Sequence, residues 1–168
     1  AAGQSASLCV RDDPDRQGNP MPTAIPSTAL QMQSCIHANA TLELSLAEVP
    51  VPEPGENEVV VRMEAAPINP SDMGMLFGPA DMNTARASGS DARPVVNAEV
   101  PERLMKSVEA RVDQALPCGN EGAGVVIAAG ASEAAQALLG RTVAMLGGSA
   151  AMTWAWCLAE LGPTQYQG

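Results

Sequence analysis

Aromatic side chains are nearly absent from this sequence of 168 residues. Phenylalanine, tyrosine and tryptophan make up only 2% of the chain. The four positions are Phe77, Trp154, Trp156 and Tyr166. So few flat rings exclude a surface that stacks successive nucleic-acid bases, and they leave the core to Val, Leu, Ala and Met.

Basic residues are also scarce. Nine Lys and Arg residues face nineteen Asp and Glu residues, which gives a net charge of −10 and a pI of about 4.4. This balance opposes contact with phosphate backbones and with anionic lipid. No apolar run reaches the roughly 18 residues that a membrane-spanning helix needs. We therefore expect neither nucleic acid nor a membrane among the partners.

Cysteines are few and scattered. Cys9, Cys35, Cys118 and Cys157 stand singly, without a CxxC pair. This spacing indicates neither a structural zinc site nor a disulfide framework, and it fits a reducing cytoplasm. The single histidine, His37, lies two residues from Cys35 on a predicted strand, so both side chains share one face. Nucleophilic catalysis by this pair would need a third orienting group and a pocket, so an ordinary structural role is favoured.

The length and a mean hydropathy near zero support one domain. Residues 1–28 are mostly polar and punctuated by Gly and Pro, so they are predicted to be a disordered extension. The folded domain is predicted to span residues 29–148. Residues 149–168 form an atypical tail without a clear strand pattern.

Hydrophobic alternation predicts several strands. Apolar and polar residues alternate over 42–48 and again over 58–66, and the prolines of 49–57 indicate a connector between them. The short apolar runs 124–129 and 141–146 predict two more strands.

Other segments predict helices or loops. Apolar residues recur every four positions over 101–116, which predicts one strong helix. Ser132 is expected to cap a helical turn that runs to Leu139 and stops at Gly140. Small polar residues over 79–93 predict a mobile loop or lid. Together these elements predict a mainly β, α+β fold with one or two helices, arranged as a partial and mostly antiparallel barrel.

Three segments in order carry a family resemblance, namely 42–78, 117–130 and 140–148. They resemble the amino-terminal, GroES-like substrate domain of the medium-chain dehydrogenase/reductase superfamily, in its zinc-independent quinone oxidoreductase branch. Complete members continue into a Rossmann cofactor domain. Only twenty residues follow Gly148, and they show no strand, Gly-rich turn and helix in sequence. The resemblance therefore implies a truncated fragment that is inactive alone.

The resemblance also indicates whether the chain binds a catalytic zinc ion. Zinc-containing relatives carry Cys at the place of Asn69 and His at the place of Asn120. Asparagine is a poor zinc ligand beside thiolate or imidazole. Asp72 and Glu121 match the family pattern, but two carboxylates without thiolate or imidazole partners are weak evidence for a transition-metal site. We predict that no metal is bound.

In the complete enzyme the resemblance implies that NADP or NAD, in reduced form, passes a hydride to a quinone or enone. No cofactor is expected for this chain alone. Asn69 is the first catalytic candidate and the candidate for cofactor binding. Its side-chain amide can form a hydrogen bond with the nicotinamide ribose or with the substrate oxygen. Asp72 is the second catalytic candidate, because the matching Asp supports the site in the family.

The predicted substrate-binding residues include amide, hydroxyl, carboxylate and apolar side chains. They are Asn69, Ser71, Met75, Phe77, Asn120 and Glu121. Ser71 is expected to cap a short turn over 72–77, while Met75 and Phe77 supply an apolar wall.

Structural alternatives remain open for these residues. The sequence of 69–72 also suits the start of a helix, so Asn69 and Asp72 are equally explained as caps. The glycines of 119–124 precede a predicted strand, the reverse of the order in a phosphate-binding turn, so close backbone packing is favoured. Glu121 is as readily a structural carboxylate, paired with an Arg or a backbone amide.

Two functions of different classes follow. The first is a substrate domain of a quinone or enone reductase, with a small molecule as partner. The second is a stand-alone, non-catalytic barrel that acts as an interaction module or self-associates through bare sheet edges. The sequence leaves open whether the chain forms a homo-oligomer.

Overall fold

The computed structural model describes residues 7–10, 25–146 and 156–160. The strands of this part are β1 (Ser7–Val10), β2 (Thr28–His37), β3 (Thr41–Pro50), β4 (Glu58–Ala65), β5 (Asp81–Ser90), β6 (Arg93–Glu99), β7 (Leu116–Pro117), β8 (Glu121–Ala129), β9 (Thr142–Leu146) and β10 (Trp156–Glu160). The helices are α1 (Pro70–Leu76), α2 (Glu102–Met105) and α3 (Glu133–Gln136), with a 3-10 helix at Lys106–Arg111.

The strands form two five-stranded sheets. The first has the order β1-β9-β8-β4-β10 and the second the order β5-β6-β3-β2-β7, with antiparallel neighbours throughout. The prediction of a mainly β, α+β fold is confirmed, although the described part has three short α-helices where one or two helices were predicted. The described strands make two open sheets and not one closed barrel, because β5 and β7, like β1 and β10, end their sheets.

The first sheet buries a face made by alternate residues. The predicted strand over 58–66 is β4, and its apolar side chains pack with those of β8, β9 and α3. The buried side chains of this cluster are Val59, Val61, Met63, Val126, Ala135, Leu138, Val143 and Met145. Val60 is also fully buried and packs with Val125 and Ile127, so β4 has both faces covered at its centre.

The second sheet is built around the β2–β3 hairpin. The register runs from Thr28 opposite Pro50 to His37 opposite Thr41, and the predicted strand over 42–48 lies within it. The turn places Ala40 at a φ of 61°. The core of this sheet consists of Ile36, Leu42, Ala98 and Val100.

The predicted helix over 101–116 is wrong in its extent. Only α2 and the 3-10 helix form, and Val112 is extended, with a parallel bridge to Ile36. Asp113 then adopts a φ of 57°, and its N–H donates to the Ile36 carbonyl at 2.8 Å. Pairing with β2 thus outcompetes the helical continuation. The apolar stripe itself was meaningful, because Met105 and Val108 pack against the second core.

The loop predicted over 79–93 is wrong as well, since β5 occupies most of it and pairs with β6. The register shifts between Asp81 and Arg86, where the Thr84 hydroxyl donates to the Asp81 carbonyl and accepts the N–H of Glu99. Pairing with β6 therefore makes this segment a strand, although its small polar residues do not predict one.

A strand is present both in residues 1–28, which were predicted to be disordered, and in residues 149–168, which show no clear strand pattern. β1 lies within 1–28 and pairs with β9, while β10 lies within 149–168 and pairs with β4. The rest of 1–24, and residues 147–155 and 161–168, lie outside the described residues. The domain boundaries stay a prediction. No helix of the described part is long and apolar enough to cross a bilayer.

Smaller features agree with the sequence. The Ser132 hydroxyl accepts the N–H of Ala135 at 3.2 Å, which caps α3, and Gly140 has a φ of 77° after that helix. The predicted strands over 124–129 and 141–146 correspond to β8 and β9, although β8 begins three residues earlier.

Close backbone packing at 119–124 is confirmed. A Cβ on Gly122 would overlap the Met63 side chain, and a Cβ on Gly124 would overlap the carbonyl oxygen of Arg62. The β4–β8 register shifts between Met63 and Ala65, so the two backbones approach closely there. Only glycine fits this crossing.

We therefore expect Gly124→Ala to destabilise the fold by about 1–3 kcal/mol, the usual cost of overpacking. The added carbon would lie 2.7 Å from the Arg62 carbonyl carbon and 2.9 Å from the Met63 Cα. Gly74→Ala is the matched control, because nothing lies within 4 Å of its added Cβ and the residue is inside α1. It should stabilise the fold by about 0.5–1 kcal/mol. Urea denaturation followed by circular dichroism measures both, and equal midpoints would contradict the expectation.

Candidate functional site

The helix α1 carries most of the predicted site residues. Asn69 is its N-cap, with extended backbone angles, and Pro70 occupies the first turn, where its fixed φ suits a helix start. The N–H of Asn69 donates to the Asp72 Oδ2 at 2.7 Å, and the N–H of Asp72 donates to the Asn69 carbonyl at 2.9 Å. The capping alternative is therefore confirmed for Asp72. The catalytic assignments of Asn69 and Asp72 remain predictions.

Two separate sequence motifs meet at Asp72. Its side chain is only 1% exposed, and its Oδ1 lies 3.5 Å from the Nδ2 of Asn120, which stands just before β8. Asn69 and Asn120 are both half-buried. The fold thus gathers Asn69, Asp72 and Asn120 into one cluster of two amides and a carboxylate, which we call the amide cluster.

The other predicted residues are placed differently. Ser71 is exposed and does not cap the helix, because α1 begins at Pro70 and not after Ser71. Phe77 packs against the core of the second sheet, and Met75 is half-buried. Glu121 is half-buried, and its expected Arg or backbone-amide partner is not found among residues 7–10, 25–146 and 156–160.

The C-terminal end of α1 holds two residues that sequence reasoning missed. The Arg111 Nη2 donates to the Met75 carbonyl at 2.9 Å and its Nη1 to the Gly74 carbonyl at 3.3 Å. The fully buried Ser34 donates its hydroxyl proton to the Leu76 carbonyl at 2.9 Å. The only available signal was an Arg at the edge of an apolar stripe, and that pattern does not reveal a partner 36 residues away.

Cys118 is a third residue near α1 that was not assigned to the site. Its side chain is fully buried. Burial raises the pKa of the Cys118 thiol, the Arg111 guanidinium opposes that effect, and Asp72 adds to it. A thiol in such surroundings stays protonated near neutral pH and is a poor nucleophile.

The Cys35 and His37 side chains do share a face of β2, with the Sγ 3.9 Å from the Nδ1. Two carboxylates flank the imidazole, namely Glu43 at 3.5 Å and Asp113 at 3.7 Å. Burial raises the pKa of the Cys35 thiol, and the negative charges of Asp113 and Glu43 raise it further. The two carboxylates supply the orienting group that catalysis would need, but they also disfavour the thiolate, so an ordinary structural role stays the prediction for this pair.

Within the described ranges, no three His, Cys, Asp or Glu side chains group together to hold a metal ion. The donors at the amide cluster are two amides and one carboxylate, which do not match the thiolate and imidazole preference of zinc. The absence of metal stays a prediction.

No family model matches the sequence, and no curated protein is significantly similar to it. The chain is similar to a protein from Mesorhizobium loti that is provisionally named an NADPH:quinone reductase, with a TM-score of 0.45 and 23% identity. The likeness covers 82% of this chain and 36% of that one, so this chain spans little more than a third of its length. At this identity and TM-score the likeness assigns neither a family nor an activity.

We expect Asp72→Ala to destabilise the fold by about 1–3 kcal/mol, because the N–H of the half-buried Asn69 loses its acceptor. Asp91→Ala is the matched control, since Asp91 is exposed in the β5–β6 turn and should change stability by less than about 0.5 kcal/mol. Urea midpoints of both variants decide the question. Similar midpoints for the two would show that the cap contributes nothing.

Thiol labelling tests the surroundings of Cys118. In a variant with Cys118 as the sole cysteine, reaction with a disulfide reagent at mildly alkaline pH should be slower by about two orders of magnitude than in a variant that retains only the exposed Cys9. The reason is that the buried thiol must wait for the fold to open. In concentrated urea both variants should react alike. Equal rates in native buffer would contradict the burial.

Proposed function

We propose that this chain is the substrate-binding part of a zinc-independent, NAD(P)H-dependent quinone or enone oxidoreductase. The proposal rests on the ordered motifs of the sequence together with the position of their residues in the fold. It includes the expectation that the chain alone does not turn over.

One observation carries the proposal. The motif at 65–72 and the motif at 119–124 are distant in sequence, yet Asp72 and Asn120 lie 3.5 Å apart. Their meeting point is a helix start, fixed by the Asp72 carboxylate, with two half-buried amides beside it. An amide side chain both donates and accepts hydrogen bonds, so this cluster suits the oxygen of a neutral carbonyl compound.

The donor set determines which chemistry is available. Positions 69 and 120 carry amides, which are weak ligands for zinc, so a polarising metal is not part of the proposal. Quinones and enones are electron-poor and accept a hydride without such help. The tasks left to this chain are to hold the acceptor in the correct orientation and to exclude water.

NAD(P)H supplies the hydride when it is bound. Among the residues that the structure describes, we assign this contact to the amide of Asn69, which can hydrogen-bond the ribose next to the nicotinamide. The described residues contain no parallel strand, Gly-rich turn and helix that would hold the cofactor phosphates, since the glycines after Pro117 lead into the antiparallel strand β8. Cofactor binding therefore requires a further domain.

A titration tests the substrate role. Tetramethyl-1,4-benzoquinone, a quinone without free ring positions for thiol addition, is added to isotope-labelled chain, and amide chemical shifts are followed. We expect shifts at residues 69–72 and 120, with an affinity that falls about three- to tenfold in Asn69→Ala, as for one lost hydrogen bond. Asn57→Ala, in an exposed turn, is the matched control.

The same samples test the inactivity of the chain. With NADPH or NADH and the quinone, nicotinamide absorbance should fall no faster than without protein. Turnover by the chain alone would overturn the proposed dependence on a cofactor domain, and the absence of any quinone-dependent shift would overturn the substrate role.

A second candidate is a non-catalytic, self-associating module. One observation favours it, because β5 has ten residues, is largely exposed and pairs only with β6 among the described strands. Such an edge is a template for another strand. Sedimentation velocity distinguishes the candidates, since a dimer that ignores quinone supports the module and a quinone-binding monomer opposes it.

A further inference from the structure

We propose that Arg111 is a positioning residue, which fixes the C-terminal end of α1 and thereby the place of the amide cluster at its N-terminal end. The contacts of Arg111 are seen in the structure, whereas their effect on quinone binding rests on the proposed function. Arg111 touches no residue of the amide cluster within hydrogen-bonding distance, so it acts through the helix.

The contacts cover the whole last turn of α1. Arg111 donates from Nη1 to the Gly74 carbonyl at 3.3 Å and from Nη2 to the Met75 carbonyl at 2.9 Å. Its Nη2 also donates to the Ser34 hydroxyl oxygen at 3.3 Å, and that hydroxyl donates in turn to the Leu76 carbonyl. Three successive carbonyls of the last turn, those of Gly74, Met75 and Leu76, are thus bound directly by Arg111 or through Ser34, and the Gly74 carbonyl also accepts the N–H of Gly78.

The backbone that carries Arg111 is itself fixed by hydrogen bonds to β2 and the residue that follows it. Arg111 ends the 3-10 helix, and two residues later Asp113 is tied to β2, because its N–H donates to the Ile36 carbonyl and its carboxylate accepts the N–H of Ala38 at 3.2 Å. The buried Nε of Arg111 has no hydrogen-bond partner within the described part. The Arg111 side chain adopts this orientation although its Nε–H is unpaired, so the hydrogen bonds from its Nη atoms to the α1 carbonyls determine the orientation.

The effect of losing Arg111 should be local. The hydrogen bonds of Arg111 go to Ser34 and to the last turn of α1, whereas the buried cluster of the first sheet is formed by residues of β4, β8, β9 and the α3 region. A seven-residue helix such as α1 is too short to be stable by itself. Removal of the guanidinium should therefore loosen α1 and leave the core of the first sheet intact.

Hydrogen exchange tests this without any ligand. In Arg111→Met, the amides of Phe77 and Gly78, which donate to Met73 and Gly74, should exchange at least about tenfold faster than in the unaltered chain. The amide of Val126, which donates to Arg141 in the first sheet, should be unchanged. Arg86→Met is the matched control, because the exposed Arg86 donates only to the adjacent Ala85 carbonyl.

The conservative variant keeps the test decisive if Arg111→Met does not fold. Arg111→Lys retains the charge but has a single nitrogen in place of the fork, so it should restore only part of the protection at Phe77 and Gly78. Full protection in either variant, or a loss that is equal at Val126, would overturn the positioning role.

The quinone titration gives the second readout. In Arg111→Met the affinity for tetramethyl-1,4-benzoquinone should fall at least about threefold, with Arg86→Met unchanged. If the unaltered chain binds no quinone, the proposed function fails, while hydrogen exchange still decides the role of Arg111. If binding persists unchanged although α1 is loosened, the link between Arg111 and the amide cluster is wrong.

Discussion

Seven residues are too few for a helix to persist in water, so α1 exists because both of its ends are bound. Asp72 accepts the free N–H of Asn69 at one end, and Arg111 and Ser34 bind the carbonyls of the last turn at the other. The charges also have the favourable arrangement, with a carboxylate at the positive end of the helix dipole and a guanidinium at the negative end. The N-terminal end of α1 is therefore fixed by a local cap, whereas its C-terminal end depends on the tertiary contacts of Arg111 and Ser34.

Those contacts come from both sheets. The chain leaves the first sheet at β4, passes through α1 and enters the second sheet at β5. Asn120, at the start of β8, approaches the N-terminal end of the helix, while Ser34 of β2 contacts its C-terminal end. The helix thus connects the two sheets, with Asn120 beside one of its ends and Ser34 bound to the other.

The same distinction between local and distant contacts explains what could be predicted from the sequence. Strands β3 and β4 follow from alternation, β8 and β9 from short apolar runs, and α3 from Ser132 and Gly140, because these signals act within a few residues. Strand β5 has no such pattern and depends on β6. The helix expected over 101–116 ends early because Val112 pairs with Ile36, and Arg111 went unnoticed because its acceptors lie across the fold. The motifs at 65–72 and 119–124 pointed to Asn69, Asp72 and Asn120, but whether these residues contact a substrate depends on chemistry that the fold alone does not decide.

The electrostatics of the amide cluster constrain its ligands further. Asp72 is 1% exposed, and no Lys, Arg or His of the described part lies within ion-pairing distance of it. A second negative charge brought beside this carboxylate would meet repulsion in surroundings that screen poorly. The net charge of −10 acts in the same direction at longer range. A neutral carbonyl compound, the ligand class proposed above, would avoid both costs. The burial that fixes the helix start therefore also selects against anionic ligands.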